Sequence, residues 1–302
     1  MTNKLDQLEL LKEFSGVSFD VPLGRYSTMK CGGSARCVYR ARNVEELSHF
    51  RKMNTFPETL LGGLSNVIVR TSGIGGVVIR LQNTGECDTG EHSVFWAGVR
   101  NFDACRMVAK EGLSGMEFLI GIPGTIGGAV AMNAGANGVE IADVLEWVDV
   151  VDTSGDVRRI ARHGLNFSYR SSGLAEGIMV VRACFRLTPS SQTEVEMRHT
   201  QLLLERAKKI KFLPNIGTAG STFKNPEQNV SNGMKAWELI DSAGCRGLTC
   251  GGAMISTEHA NFLINTGNAT ADDLEKLGEE VRKRVFDMTG ILLEWEIKII
   301  GD

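Results

Sequence analysis

Between Gly121 and Ala136 the chain reads GIPGTIGGAVAMNAGA, with five glycines and four alanines in sixteen residues. Such a run cannot be the middle of an ordinary strand or a long surface helix. Glycine loses more backbone freedom than any other residue on folding, and so few side chains leave little apolar surface to bury. What the run can form is a tight turn leading into a short helix that a ligand or another backbone approaches closely. A second glycine segment, LGGLSN from Leu61 to Asn66, lies between two apolar stretches that read as strands. Turns of this kind let backbone N–H groups converge on an anion. Neither segment has the GxGxxG spacing of a dinucleotide fold with its downstream acid, and neither carries the GK[ST] of a P-loop. On the residues alone the two segments are candidate phosphate-holding loops outside the two commonest motifs, or simply turns.

The rest of the chain frames these loops. Its 302 residues suit about two domains. A net charge of −3 sets up no field favouring nucleic acid or an anionic membrane. No run approaches the ~18 apolar residues of a membrane span. The N-terminal MTNKLDQLELLKEF reads as a polar amphipathic helix rather than a signal peptide. The seven cysteines are scattered, odd in number and lack a CxxC pair, which fits reduced core thiols better than disulfides or a metal site. Together these features point to a cytoplasmic protein with no nucleic-acid partner, no membrane insertion and no metal.

Short strands and glycine turns fill the first part of the chain. Helices are expected at NVEELSHFRKMN, with Asn43 as N-cap, and at NFDACRMVAKEG, closed by Gly112. A hairpin is expected at LEWVDVVDTSGDVRRIAR and an apolar strand at IMVVRACFRL. Near residue 190 the pattern shifts to long helices, one starting at Thr193 and one ended by Gly290, with ILLEWEIKII as a final strand. A domain boundary is placed there.

Taken in order, YSTMKCGGSA (26–35), LGGLSN (61–66), GLSGMEFLIGIPGTIGGAVAMNAGA (112–136), FSYRSS (167–172), GSTFKNP (220–226), AGCRGLTCGGAMISTEHANFLIN (243–265) and LEWEIKIIG (293–301) resemble the UDP-N-acetylenolpyruvoylglucosamine reductase family. The short spacing between SYRSS and GSTFKNP resembles its second type, which lacks a substrate-covering loop. Leu64 stands where the family usually has a third glycine and Thr71 where an aspartate is common. KKIKFLP replaces the usual Gln-Pro before the serine motif.

The resemblance implies an α+β protein. An N-terminal helix (1–16) precedes a two-lobed FAD-binding domain of the vanillyl-alcohol-oxidase (PCMH) type over 17–190, with lobes of about 17–82 and 83–190. A smaller α+β substrate-binding domain follows over 191–302. It implies FAD as bound cofactor and NADPH as co-substrate. The enolpyruvyl group of UDP-N-acetylglucosamine enolpyruvate would be reduced to UDP-N-acetylmuramate for peptidoglycan, by a monomer. The implied cofactor-binding residues are Tyr26, Gly62, Gly63, Leu64, Ser65, Asn66, Gly121, Ile122, Pro123, Gly124, Thr125, Gly127, Gly128, Ala129 and Ile178.

Three residues match the family's catalytic positions. Arg170, in SYRSS, would face the substrate carboxylate, which a guanidinium fork suits. Glu296, in LEWEIK, matches the catalytic glutamate. Alternation places it opposite the apolar stripe Ile291, Leu293, Trp295, Ile297 and Ile299, which equally describes a solvated glutamate. Ser221, in AGSTFKNP, matches the proton donor. Serine is a weak acid, yet its acceptor here would be a strongly basic carbanion, so no histidine is needed to activate it. Tyr169, Lys224 and Asn225 are implied substrate contacts, and His259 has no assigned role. The alternatives are another PCMH-type FAD oxidoreductase, which would not require the YR, GS and late-glutamate elements together, and a non-catalytic nucleotide-sugar-binding homologue, which would have no reason to keep all three.

Overall fold

The computed structural model describes residues 10–209 and 216–302. The expected helix over 1–16 and the KKIKFLP segment lie largely outside them. The chain divides into two compact units: residues 1–19, 37–63 and 76–206 form the first, and residues 20–36, 64–75 and 207–302 the second. The division therefore falls after Arg206 rather than near residue 190, and the second unit also draws on two segments from the first third of the chain.

The first unit holds two sheets and four helices that matter below: α1 (Val44–Met53), α2 (Asn101–Lys110), α3 (Ile126–Ala131) and α4 (Gln192–Lys209). One sheet runs in the order Val17–Pro22, Ser34–Ala41, Ile74–Leu81, Glu58–Leu60, the last pair parallel. The other is antiparallel, in the order Val157–Ala161, Leu145–Val151, Met179–Arg186, His92–Trp96, Cys87–Asp88. Its inner face is the alternating set Val148, Val150, Val181, Ala183, Phe185 and Phe95, all buried in one core cluster.

Asn43 caps α1 as expected, its Oδ1 accepting the Glu46 N–H at 2.8 Å. The Glu46 carboxylate reaches back to Arg42. On the inner side of α1, Phe50 stacks on Tyr39 at 3.8 Å, and buried Arg51 donates to the carbonyls of Val151 and Asp152 at the hairpin turn. Helix α4 starts at Gln192, not Thr193, because the Ser191 hydroxyl accepts the Glu194 N–H at 3.2 Å and so takes the cap position.

The second unit is built around α5 (Ala236–Ser242), α6 (Ala271–Thr289) and an antiparallel sheet in the order Gly217–Ser221, Phe262–Asn265, Ala253–Ile255, Thr249–Cys250. Leu274, Leu277, Val281 and Val285 line one face of α6 and join Phe223, Ile255 and Leu263 in its core. Thr270 caps α6 and Gly290 ends it in the left-handed region at φ 72°. The expected final strand is shorter than its alternation suggests. Lys298–Ile300 forms a strand parallel to Val67–Val69, while Trp295 makes only an isolated antiparallel bridge to Phe223.

All seven cysteines are free, five of them buried. Burial raises the Cys31 and Cys37 pKa values to about 11, so these thiols stay protonated and unreactive. Among the described residues no helix is long and apolar enough to cross a membrane.

Candidate active site

In the first unit the two glycine segments meet. A Cβ on Gly62 would stand 2.8 Å from Thr125 Oγ1, and one on Gly63 would stand 2.8 Å from Gly124 Cα. Real Cβ atoms do not approach other heavy atoms so closely, so the glycines are required by space. The N–H groups of Gly62, Gly63, Gly124 and Thr125 have no hydrogen-bond acceptor among the described residues. Neighbouring groups hold the loop backbone: Asn101 donates from its backbone N–H to Gly124 O (3.0 Å) and from Nδ2 to Ile122 O (3.1 Å). Arg80 donates to Gly62 O at 3.2 Å.

Thr125 caps α3, Gly127 donates to Ala97 O, and Ala129 is buried in the core. Beside them opens a cavity of about 120 Å³ lined by Leu61, Gly62, Leu81, Ala97, Thr125 and Ile178, among others. That volume is on the order of a cavity that takes benzene, so it suits one planar ring and not a whole dinucleotide. At the start of the second loop, Arg206 Cδ lies 3.1 Å from where a Gly121 Cβ would stand. Burial pushes the Arg206 guanidinium pKa down, with no acid among the described residues to oppose it.

Open amides, a cradle that excludes side chains, a ring-sized apolar cavity and a cation with no counter-ion among the described residues fit a dinucleotide carrying a diphosphate. These are the features FAD requires. Replacing Gly63 by alanine is expected to raise the FAD dissociation constant at least about tenfold, since even ~1.4 kcal/mol of clash gives that factor. Titration of the apoprotein by flavin fluorescence quenching checks it, and unchanged affinity would mean that the two loops can separate.

Tyr169 and Arg170 form the tip of a two-residue turn, closed by Ser168 N–H to Ser171 O at 2.9 Å and Ser171 N–H to Ser168 O at 3.0 Å. Arg170 adopts φ 60°, a left-handed conformation that normally selects glycine or asparagine. Its guanidinium carbon lies 4.7 Å from the Tyr169 ring centre.

In the second unit, Ser221 ends its strand after a register shift. It is half-buried, and among the described residues its hydroxyl makes no hydrogen bond. Gly220 before it has φ 83° and open space around it, so conformation rather than room requires the glycine. Thr222 and Phe223 are fixed on one side by Asn261, which accepts the Phe223 N–H at 3.0 Å and donates to Phe223 O at 2.8 Å. On the other side Glu296 N–H donates to Thr222 O and Lys224 N–H to Glu294 O, both at 2.8 Å. Ser221 and Glu296 therefore lie on adjacent extended segments. Asn66 Nδ2 holds the Glu296 carbonyl at 3.0 Å, and Ser65 O accepts from Thr28 Oγ1.

Leu64 is buried at φ 50°. The leucine thus takes a left-handed backbone that favours glycine. Thr71 donates to Asp272 at 3.1 Å. Tyr26 is half-exposed after the turn Leu23–Arg25. Lys224 pairs with Glu294 at 3.2 Å. Asn225 Oδ1 accepts the Ala236 N–H at the start of α5, a capping role beside any substrate contact. His259 stacks on Phe262 at 4.5 Å, and its Nδ1 accepts the Asn261 N–H. The sequence reading missed Arg80, Asn101, Arg206 and Asn261. Nothing in their local pattern marks them, because each acts across a long loop.

The glycine cradle and the α+β architecture define a flavoprotein of the FAD-binding class, and the FAD binding domain family matches residues 35–161. The family described as UDP-N-acetylenolpyruvoylglucosamine reductase, C-terminal domain, matches residues 212–300. The chain belongs to the UDP-N-acetylenolpyruvoylglucosamine reductase family. It is 45% identical over 291 residues to the UDP-N-acetylenolpyruvoylglucosamine reductase of Acidiphilium cryptum, covering 94% of this chain and 91% of that one. It is 43% identical over 290 residues to that of Granulibacter bethesdensis, with the same coverage. The crystal structure of UDP-N-acetylenolpyruvylglucosamine reductase from Thermus caldophilus superposes with a TM-score of 0.79 at 35% identity, covering 93% of this chain and 98% of that one.

Proposed function

We propose that the chain is an FAD-dependent oxidoreductase that uses NADPH to convert UDP-N-acetylglucosamine enolpyruvate to UDP-N-acetylmuramate, a step of peptidoglycan precursor synthesis. The observation that carries this reading is the pairing of the Ser221 and Glu296 segments, with the serine hydroxyl bonded to no base among the described residues.

FAD held in this cradle would supply the hydride chemistry that links NADPH to the substrate's methylene carbon. The protein supplies position, electrostatics and a proton. Gly62, Gly63, Gly124 and Thr125 direct backbone N–H groups to the diphosphate. Tyr26, Leu64, Ser65, Asn66, Gly121, Ile122, Pro123, Gly127, Gly128, Ala129 and Ile178 complete the cofactor contacts. Hydride addition leaves negative charge on the substrate carbon next to the carboxylate, and the Arg170 guanidinium opposes it as a fixed cation. Ser221 Oγ–H gives its proton to that carbon and regains one from solvent. Glu296 orients the groups at the reacting carbon. Tyr169, Lys224 and Asn225 bind the nucleotide sugar.

The test is NADPH oxidation by the purified holoprotein with and without the enolpyruvyl sugar nucleotide. Oxidation that depends on the sugar nucleotide is expected. A preparation that cannot be loaded with FAD, or a rate indifferent to the substrate, would contradict the reading.

A further inference from the structure

We propose that Asn133 is a positioning residue for the catalytic arginine, clamping the Tyr169–Arg170 turn onto the helix that carries the cofactor loop. Asn133 follows α3 in the MNAGA stretch, is fully buried and adopts φ 42°. Its Nδ2 donates to Ser168 O at 3.1 Å, and its Oδ1 accepts the Ala142 N–H at 3.1 Å. Ser168 opens the turn whose tip is Arg170. Beyond the turn, Ser172 N–H donates to Ala131 O, the last residue of α3, at 3.2 Å. The turn is thus tied to the C-terminal end of α3 on both sides. The other end of α3 is Thr125 to Gly128, part of the cofactor cradle. Six helical residues span only about 9 Å, so one short rigid element connects the cradle to the arginine.

The residue type fits this role. The backbone needs a residue that tolerates the left-handed region, which favours glycine, asparagine or aspartate. The two partners need one donor and one acceptor from the same side chain, and only asparagine offers both. A misplacement of about 1 Å at a positioning group can cost about 100-fold in rate. Asn133 therefore acts through Arg170 and touches no reacting atom.

The inference rests on the role proposed for Arg170, and the experiment separates the two. Asn133→Gly keeps the backbone conformation and deletes both side-chain bonds. Asn133→Asp keeps the shape and the acceptor but sets a carboxylate against the Ser168 carbonyl. For both holoenzymes the expected result is FAD affinity and NADPH-driven flavin reduction within about threefold of the parent. Turnover of the enolpyruvyl substrate should fall about 100-fold, with KM changed much less than kcat. Combined with Arg170→Lys, either change should give about the larger of the two single losses and not their product, because both act on one interaction. Amide hydrogen exchange should rise at Ser171 and Ser172 in Asn133→Gly, whatever Arg170 does in catalysis.

Unchanged exchange at those amides would overturn the clamp. Losses that multiply in the double variants, or that fall equally on flavin reduction, would overturn the coupling to Arg170. Normal turnover in Arg170→Lys alone would instead remove the role proposed for the arginine, while the exchange measurement would still decide the clamp.

Discussion

Ser221→Ala is expected to lower turnover of the enolpyruvyl substrate by about 10²–10⁴-fold, the range of a positioned general acid, while NADPH reduces the bound flavin at the parental rate. The split follows from where the residue sits. Ser221 belongs to the unit that carries Glu296, Lys224 and Asn225, and its hydroxyl makes no hydrogen bond among the described residues. Nothing there prepares it to be a nucleophile, since no histidine or carboxylate accepts its proton. A donor to a carbanion needs no such partner, because the acceptor is far more basic than the alkoxide left behind. Rapid-mixing absorbance measurements of the two half-reactions check it. Equal slowing of both would mean that the hydroxyl holds structure and does not move a proton.

Removing the Arg170 guanidinium is expected to separate stability from activity. Its left-handed backbone at φ 60° costs roughly 1–2 kcal/mol for a residue with a Cβ. Its guanidinium also contacts the half-exposed Tyr169 ring, worth about 0.5–1 kcal/mol. Arg170→Gly removes the strain and that contact together, so its turnover loss should far exceed any change in melting temperature. Turnover should fall about 10²–10³-fold, the typical loss when one group that stabilises developing charge is removed. Arg170→Lys keeps the charge but loses the two-pronged geometry that fits a carboxylate, and a loss of at least about tenfold is expected. Steady-state rates beside thermal melts decide both. A glycine variant that unfolds early, or a lysine variant with near-normal turnover, would remove the carboxylate-binding role.

What the sequence made legible was mostly what residue type dictates locally. Gly62 and Gly63 could be read as a close-approach loop because only glycine fits 2.8 Å from a neighbouring loop. Asn43, Gly112 and Gly290 could be read as helix ends because capping and left-handed closure have their own residue preferences. Local competition produced the smaller misses. Ser191 lies two residues ahead of Thr193 and captures the α4 cap. The alternation of Ile291 to Ile299 is real, with Leu293 and Ile297 fully buried. Only Lys298–Ile300 forms a regular strand, because Val67–Val69 is three residues long, and Trp295 makes an isolated bridge to Phe223.

Tertiary relations were not legible at all. Nothing near Asn133 marks it as the partner of a residue 35 positions away. Arg206 looks like any helix arginine until burial beside Gly121 leaves it with no acid among the described residues. The second unit's use of residues 20–36 and 64–75 leaves no compositional trace. Leu64 shows the reverse case, a residue that breaks the local rule for a left-handed position and adopts it nonetheless.

The most direct test of the account is a single turnover of the holoenzyme without oxygen. NADPH should bleach the flavin's visible absorbance, and UDP-N-acetylglucosamine enolpyruvate added next should restore it, with one equivalent of product heavier than substrate by one hydride and one proton. A flavin that NADPH bleaches but this substrate cannot reoxidise would contradict the account.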